Sequence, residues 1–190
     1  MTNKCCTSTR FRISNVKVSV HSVKLITINY PLNNSALIHD TANIKIVHFQ
    51  NLAFSFFKKR STGFSTPTVH ITGLTCLCDA SDLLNILAEF TDFEPCDCLY
   101  LKVGTISFSF SVEPGLKSKL IKMSSQFYNK YDFRVPTRFP AVIVKSLYGG
   151  ASTSIFNSGC AISCGAKRLG EIYRYLDKFG QMANVLWYPI

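Results

Sequence analysis

Ile106, Phe108, Phe110 and Val112 alternate with Thr105, Ser107, Ser109 and Ser111. A period of two with one apolar side predicts a half-buried strand over 103–112. Near the N-terminus, Val16, Val18 and Val20 alternate with Asn15, Lys17 and Ser19, predicting a second such strand over 13–20. The two read as equivalent elements of a repeat. Residues 138–147, 152–156 and 161–164 read as three further strands, with Gly149-Gly150 and Ser158-Gly159 as turn chemistry. Leu169, Ile172, Tyr173 and Leu176 then follow helical spacing over 167–179, with Gly180 as the stop. The first half keeps this order. Strands are predicted over 52–58, 61–64 and 68–72, then a helix over 80–90 behind Asp79 as N-cap. Residues 22–50 form either a helix of the first repeat or an insertion. Two halves, 1–95 and 96–190, can join edge to edge into one antiparallel sheet with helices on one side. The other side then stays open and needs a ligand.

Charge narrows what that ligand is. Twenty-one Lys and Arg stand against eleven Asp and Glu, a formal +10. Residues 1–95 carry +3 of it, nine bases and six acids, and residues 96–190 carry +7, twelve and five. The second half should therefore dominate attraction to a phosphate backbone. The eight cysteines follow an N-terminus without an apolar signal segment, so reduced, intracellular thiols are expected. The longest uncharged stretch, 146–166, is too rich in Ser, Gly and Asn to cross a bilayer, and no membrane role is expected.

Short motifs in a fixed order carry a resemblance. Arg138-Phe-Pro-Ala-Val-Ile-Val-Lys145, Ser154-Ile-Phe-Asn-Ser-Gly159, Ser163-Cys-Gly-Ala-Lys-Arg168 and Glu171-Ile-Tyr173 together resemble the repeat of TATA-box-binding proteins. Ile13-Ser-Asn-Val16 and Thr72-Gly73 are similar to the matching places of its first repeat. The resemblance implies an α+β saddle, with two pseudo-symmetric repeats forming one curved antiparallel sheet and helices on the convex face. It implies a transcription initiation factor that binds and bends A·T-rich duplex DNA in the minor groove. By the same resemblance the intercalating wedges are Phe139, Phe156, Phe64 and Leu52. Minor-groove contacts fall to Asn15, Lys17, His70, Thr72, Ile162 and Cys164, and phosphate contacts to Lys58, Lys145 and Lys167. The chemistry suits these residues, because apolar side chains pushed between base steps unstack them and the bend enlarges the contact. The implied partners are double-stranded DNA and, through the convex helices, RNA polymerase or a TFIIB-like factor. The implied place of action is a nucleus or a cytoplasmic viral factory.

Departures from the repeat are equally specific. The place of Asn15 in the second repeat is read as Val103, and Thr of the Thr-Gly-Ala-Lys turn is Cys164. The segment before the second repeat's first wedge, Arg134-Val-Pro-Thr-Arg138, is basic where the family is acidic. Leu83, Leu84, Ile86, Leu87 and Phe90 exceed one buried stripe and predict a partner other than a standard TFIIB or TFIIA. Such drift resembles the TATA-binding-like proteins of large DNA viruses. Cys76-x-Cys78 and Cys96-x-Cys98 have too short a gap for the usual zinc pairs, so no metal and no cofactor are expected. No acidic pair, Ser-His-Asp order or phosphate loop stands out, and an enzyme is not expected. The rival reading is a structural or assembly protein that keeps the fold and uses its sheet face for protein contacts.

Overall fold

The computed structural model describes residues 7–8, 10–29, 37–57, 66–76, 80–123, 129–146 and 150–183. Lys58, Phe64, Asp79, Gly149 and the strand predicted over 61–64 lie outside them. The elements in order are β1 (Thr7–Ser8), β2 (Phe11–Ile26), β3 (Leu37–Asp40), β4 (Ile44–Phe49), β5 (Leu52–Phe57), β6 (Thr66–Leu74) and α1 (Ala80–Ala88). A 3-10 turn (Pro95–Asp97) follows, then β7 (Cys98–Ser111), α2 (Leu116–Met123), β8 (Tyr131–Arg134), β9 (Val142–Ser146), β10 (Ser152–Ile155), β11 (Cys160–Ala166) and α3 (Leu169–Ala183). Two compact units result: a middle unit, Asn15–Gly104, and a terminal unit, Met1–Ser14 with Thr105–Ile190. The boundary cuts β2 and β7, so the compact units are not the sequence halves 1–95 and 96–190.

In the middle unit the hydrogen-bonded order is β3-β4-β5-β6-β2-β7. Val16, Val18, Val20, Val47, Phe54, Phe56, Val69 and Ile71 are all buried, on one side of their strands. Leu83 and Leu87 of α1 bury with them, while Leu84 and Ile86 are only half-buried. Phe90 lies just beyond the helix and packs edge-on against Phe54, centroids 4.9 Å apart. The helix ends because the Thr91 hydroxyl donates to the Leu87 carbonyl at 2.6 Å and the chain turns to bridge Ile28. Residues 22–50 hold no helix among those described: they complete β2 and form the β3–β4 hairpin.

In the terminal unit the order is β2-β7-β11-β10-β9-β8. Alternation along β7 follows the prediction, with Ile106, Phe108, Phe110 and Val112 buried. Phe110 packs on Phe179 of α3 at 5.7 Å, and Phe11 meets Phe108 at 6.0 Å. Beneath α3 the hydroxyls of Thr153, Ser163 and Tyr175 form a hydrogen-bonded chain. Burial pushes the Tyr175 phenol up to about 12.

Three expectations are corrected here. The helix does not stop at Gly180 but runs to Ala183, because Met182 and Ala183 are buried and this outweighs a glycine cost of about 1 kcal/mol. Its buried stripe is Ile172, Leu176, Phe179, Met182 and Ala183, leaving Leu169 and Tyr173 exposed. The strand predicted from Arg138 begins only at Val142, since Pro136 and Pro140 cannot donate to a ladder. Before it the sequence signals missed α2 altogether.

Candidate nucleic-acid interface

Each unit has a sheet face turned away from its buried core. In the middle unit this face carries Asn15, Lys17, His21, Ser55, Thr68, His70 and Thr72, all half-buried. Asn15 Oδ1 accepts the Gly73 N–H at 2.8 Å, which fixes the amide and leaves its NH2 group as the outward donor. Burial lowers the His70 pKa, helped by the nearby Lys17 and His21. The Ser19 hydroxyl and His70 Nδ1 share a hydrogen bond of 2.7 Å, whose direction follows the ring tautomer. That bond also covers Ser19, which is itself buried. His21 stacks on Tyr100, centroids 4.3 Å apart, and its Nδ1 lies 3.1 Å from the Thr68 hydroxyl.

On β7 a side chain at Gly104 would meet the Lys17 side chain, 3.7 Å from Cγ. Gly104 therefore lies beside Lys17, and on the same strand Tyr100 and Lys102 are exposed while Val103 is half-buried. Hydrogen-bond donors predominate on this face. Minor-groove edges of A·T pairs offer only acceptors, adenine N3 and thymine O2, so donors are the matching chemistry.

The terminal unit's face presents Ser107, Ser109, Ile143, Lys145, Ser154, Ile162 and Cys164. Cys160 and Cys164 are free, exposed thiols on β11. Phe139 stands in the β8–β9 loop, 43% exposed, edge-on to the half-buried Phe156 with centroids 5.8 Å apart. Phe139 precedes the strand, so strand alternation does not set its direction, and Ala141 beside it is fully buried. What positions Phe139 is its loop: its N–H reaches the Pro136 carbonyl at 3.5 Å, and Lys117 Nζ of α2 donates to the Pro140 carbonyl at 2.8 Å.

Strand register relates the two units residue by residue. Ala53 pairs Thr72 and Phe56 pairs Val69, as Ser152 pairs Cys164 and Ile155 pairs Ala161. Gly73 and Gly165 have φ of +104° and +126°, and their missing Cβ atoms would press on Asn51–Leu52 and on Gly150–Ala151. Both relations set Leu52 against Ala151, Phe57 against Phe156, His70 against Ile162 and Thr72 against Cys164. Leu52 is thus corrected: it is 8% exposed on the core side with Phe54 and Phe56. Phe57, which sequence reasoning missed, is the residue this register sets against Phe156, 38% exposed and edge-on to His70 at 5.0 Å. Its signal was present as the last residue of the alternating run Leu52, Ala53, Phe54, Ser55, Phe56, Phe57.

Lys145 is exposed on β9, and Lys167 is exposed in the turn before α3, where its N–H meets Glu171 Oε2 at 2.8 Å. Among the described residues no three His, Cys, Asp or Glu gather as a metal site, and no helix is long and apolar enough to cross a membrane.

A strand, then a set of antiparallel strands, then a helix, given twice with β3-β4-β5-β6-β2 matched by β8-β9-β10-β11-β7, defines an α+β fold of the TATA-binding kind. Among solved structures the chain is similar to Methanococcus jannaschii TBP, at 19% identity over 92% of this chain and 97% of that one, with a TM-score of 0.58. That likeness establishes the TBP-like fold and gives no support to a viral origin. No family model matches the chain, and no curated protein matches its sequence.

Proposed function

We propose that the protein is a TBP-like transcription initiation factor that grips A·T-rich duplex DNA in the minor groove, bends it, and presents its helices to RNA polymerase or a TFIIB-like factor. The observation that carries this reading is the Phe139–Phe156 ring pair, solvent-facing and braced by Lys117, in a unit of strong positive charge. Apolar rings held out of a core lose contact with water only when something receives them, and a base step does so. The donors of Asn15, Lys17, His70 and Thr72 fit A·T edges, and Lys145 and Lys167 fit phosphates. A gel or fluorescence bending assay on A·T-rich duplex tests it. Affinity and bend angle should both fall when Phe139→Ala is combined with Phe156→Ala, and unchanged values would remove the wedge assignment.

A second reading, a structural or assembly protein using the sheet face for protein contacts, is favoured by one observation. The middle unit carries seven Lys and Arg against seven Asp and Glu, no net charge at all. Salt separates the readings. DNA binding through several phosphates weakens steeply between low and moderate salt, whereas no binding at low salt supports the assembly role.

A further inference from the structure

His39 and His48 have no metal-ligand spacing along the chain, but strand register brings them together. β3 and β4 pair with Leu37 opposite His48 and His39 opposite Ile46, so the two histidines are diagonal neighbours on one face of the hairpin. Their ring centroids lie 5.4 Å apart, with planes at 84°. Both side chains are exposed, and neither ring nitrogen takes part in a hydrogen bond among the described residues.

The hairpin under the pair is held in register. Thr41 N–H donates to the Ile44 carbonyl at 3.0 Å, and Ile44 N–H donates to the Thr41 hydroxyl at 3.1 Å. Asp40 and Lys45, next in the ladder, alternate to the other face and form an ion pair of 3.5 Å, which keeps the ammonium away from the imidazoles. Ala53, opposite His48 on β5, brings only a methyl group to that side.

Imidazole is a ligand for zinc and the neighbouring divalent ions. Two ring nitrogens about 2.1 Å from one tetrahedral zinc ion place their ring centroids roughly 5 Å apart. The pair already stands at that separation, and χ2 of histidine is a broad torsion, so both nitrogens can turn toward a common point. His21 and His70 form the other diagonal pair, across β2 and β6, and are differently employed. Their Nδ1 atoms are hydrogen-bonded with the Thr68 and Ser19 hydroxyls at 3.1 and 2.7 Å.

We propose that His39 and His48 form a two-imidazole site for a zinc-class divalent ion. The ion ties β3 to β4, and water or an oxygen or nitrogen donor from outside the chain fills the rest of its shell. Having two protein ligands, where a structural zinc site has four, makes this a weaker and exchangeable site. A bound dication also gives net positive charge to a unit that has none of its own. The site stands independently of the DNA-binding reading.

The test is NMR of the full chain, isotope-labelled at its four histidines, as zinc is added with magnesium as the control ion. Zinc should move the His39 and His48 ring signals together and leave those of His21 and His70 in place, and magnesium should move none. Chelator should restore the starting spectrum. His39→Gln should abolish the response of His48, and His48→Gln that of His39, with backbone amide spectra in chelator showing that both variants are folded. Rings that stay unmoved in excess zinc, whether the ion is free or held by thiols, would overturn the inference. So would a His48 response that persists undiminished in His39→Gln.

Discussion

Asn15 accepts the Gly73 N–H with its Oδ1 and keeps its donors, which separates its structural duty from the recognition duty proposed for it. Asn15→Asp retains an oxygen for the Gly73 N–H but has no donor for adenine N3 or thymine O2. Thermal stability should change little, while affinity for A·T-rich duplex should fall at least tenfold, about 1.4 kcal/mol, as titration against labelled duplex would show. Tyr175 allows a test that needs no DNA. Its phenol titrates near 10 in an unfolded chain and at about 12 when buried in the fold. The folded state thus favours the protonated form, so this stabilisation is complete below pH 10 and is lost as pH rises through 12. Urea melts should weaken over that interval in the wild-type protein, and Tyr175→Phe should flatten the decline at a cost of about 1 kcal/mol at neutral pH.

At the scale of elements, strands defined by alternation were legible in the sequence, as β7 shows with Ile106 to Val112. Helix α3 was legible in kind but not in length, because burial of Met182 and Ala183 carries it past Gly180. Register was not legible. Leu52 was read as the counterpart of Phe139, whereas register sets it against the buried Ala151, since sequence spacing does not tell which strand lies opposite which. The glycine positions that fix register, Gly73 and Gly165, are recognisable only once their φ values and close neighbours are known. Gly73→Ala should be costly, because a Cβ there would stand 2.6 Å from the Asn51 carbonyl oxygen at φ +104°. A loss of about 1–3 kcal/mol is expected from backbone strain, read from the urea midpoint. The Phe139 loop was read as strand because it runs without a break into the apolar stretch 139–144, and only the prolines declare otherwise. Its tie to α2 through Lys117 links residues more than twenty positions apart, and no local pattern announces such a link.

At the scale of the molecule, charge and fold do not share boundaries. The sequence halves carry +3 and +7, but the compact units carry 0 and +10, because the first fourteen residues, with Lys4, Arg10 and Arg12, join the terminal unit. Lys145→Gln and Lys167→Gln should each lower the slope of log affinity against log salt by about 1, as titrations at several salt concentrations would show. The crossing of β2 and β7 over that boundary also sets an order of events during synthesis. The middle unit has all of its strands once Gly104 has emerged, whereas Phe11 and Ile13 must wait for Phe108, nearly a hundred residues later, before they find their packing. Long waits between partners slow folding and leave apolar strand ends uncovered. A growing chain therefore presents a nearly finished middle unit with the Phe11 side chain of its amino-terminal strand segment still without Phe108, a form suited to capture by chaperones until the final strands are translated.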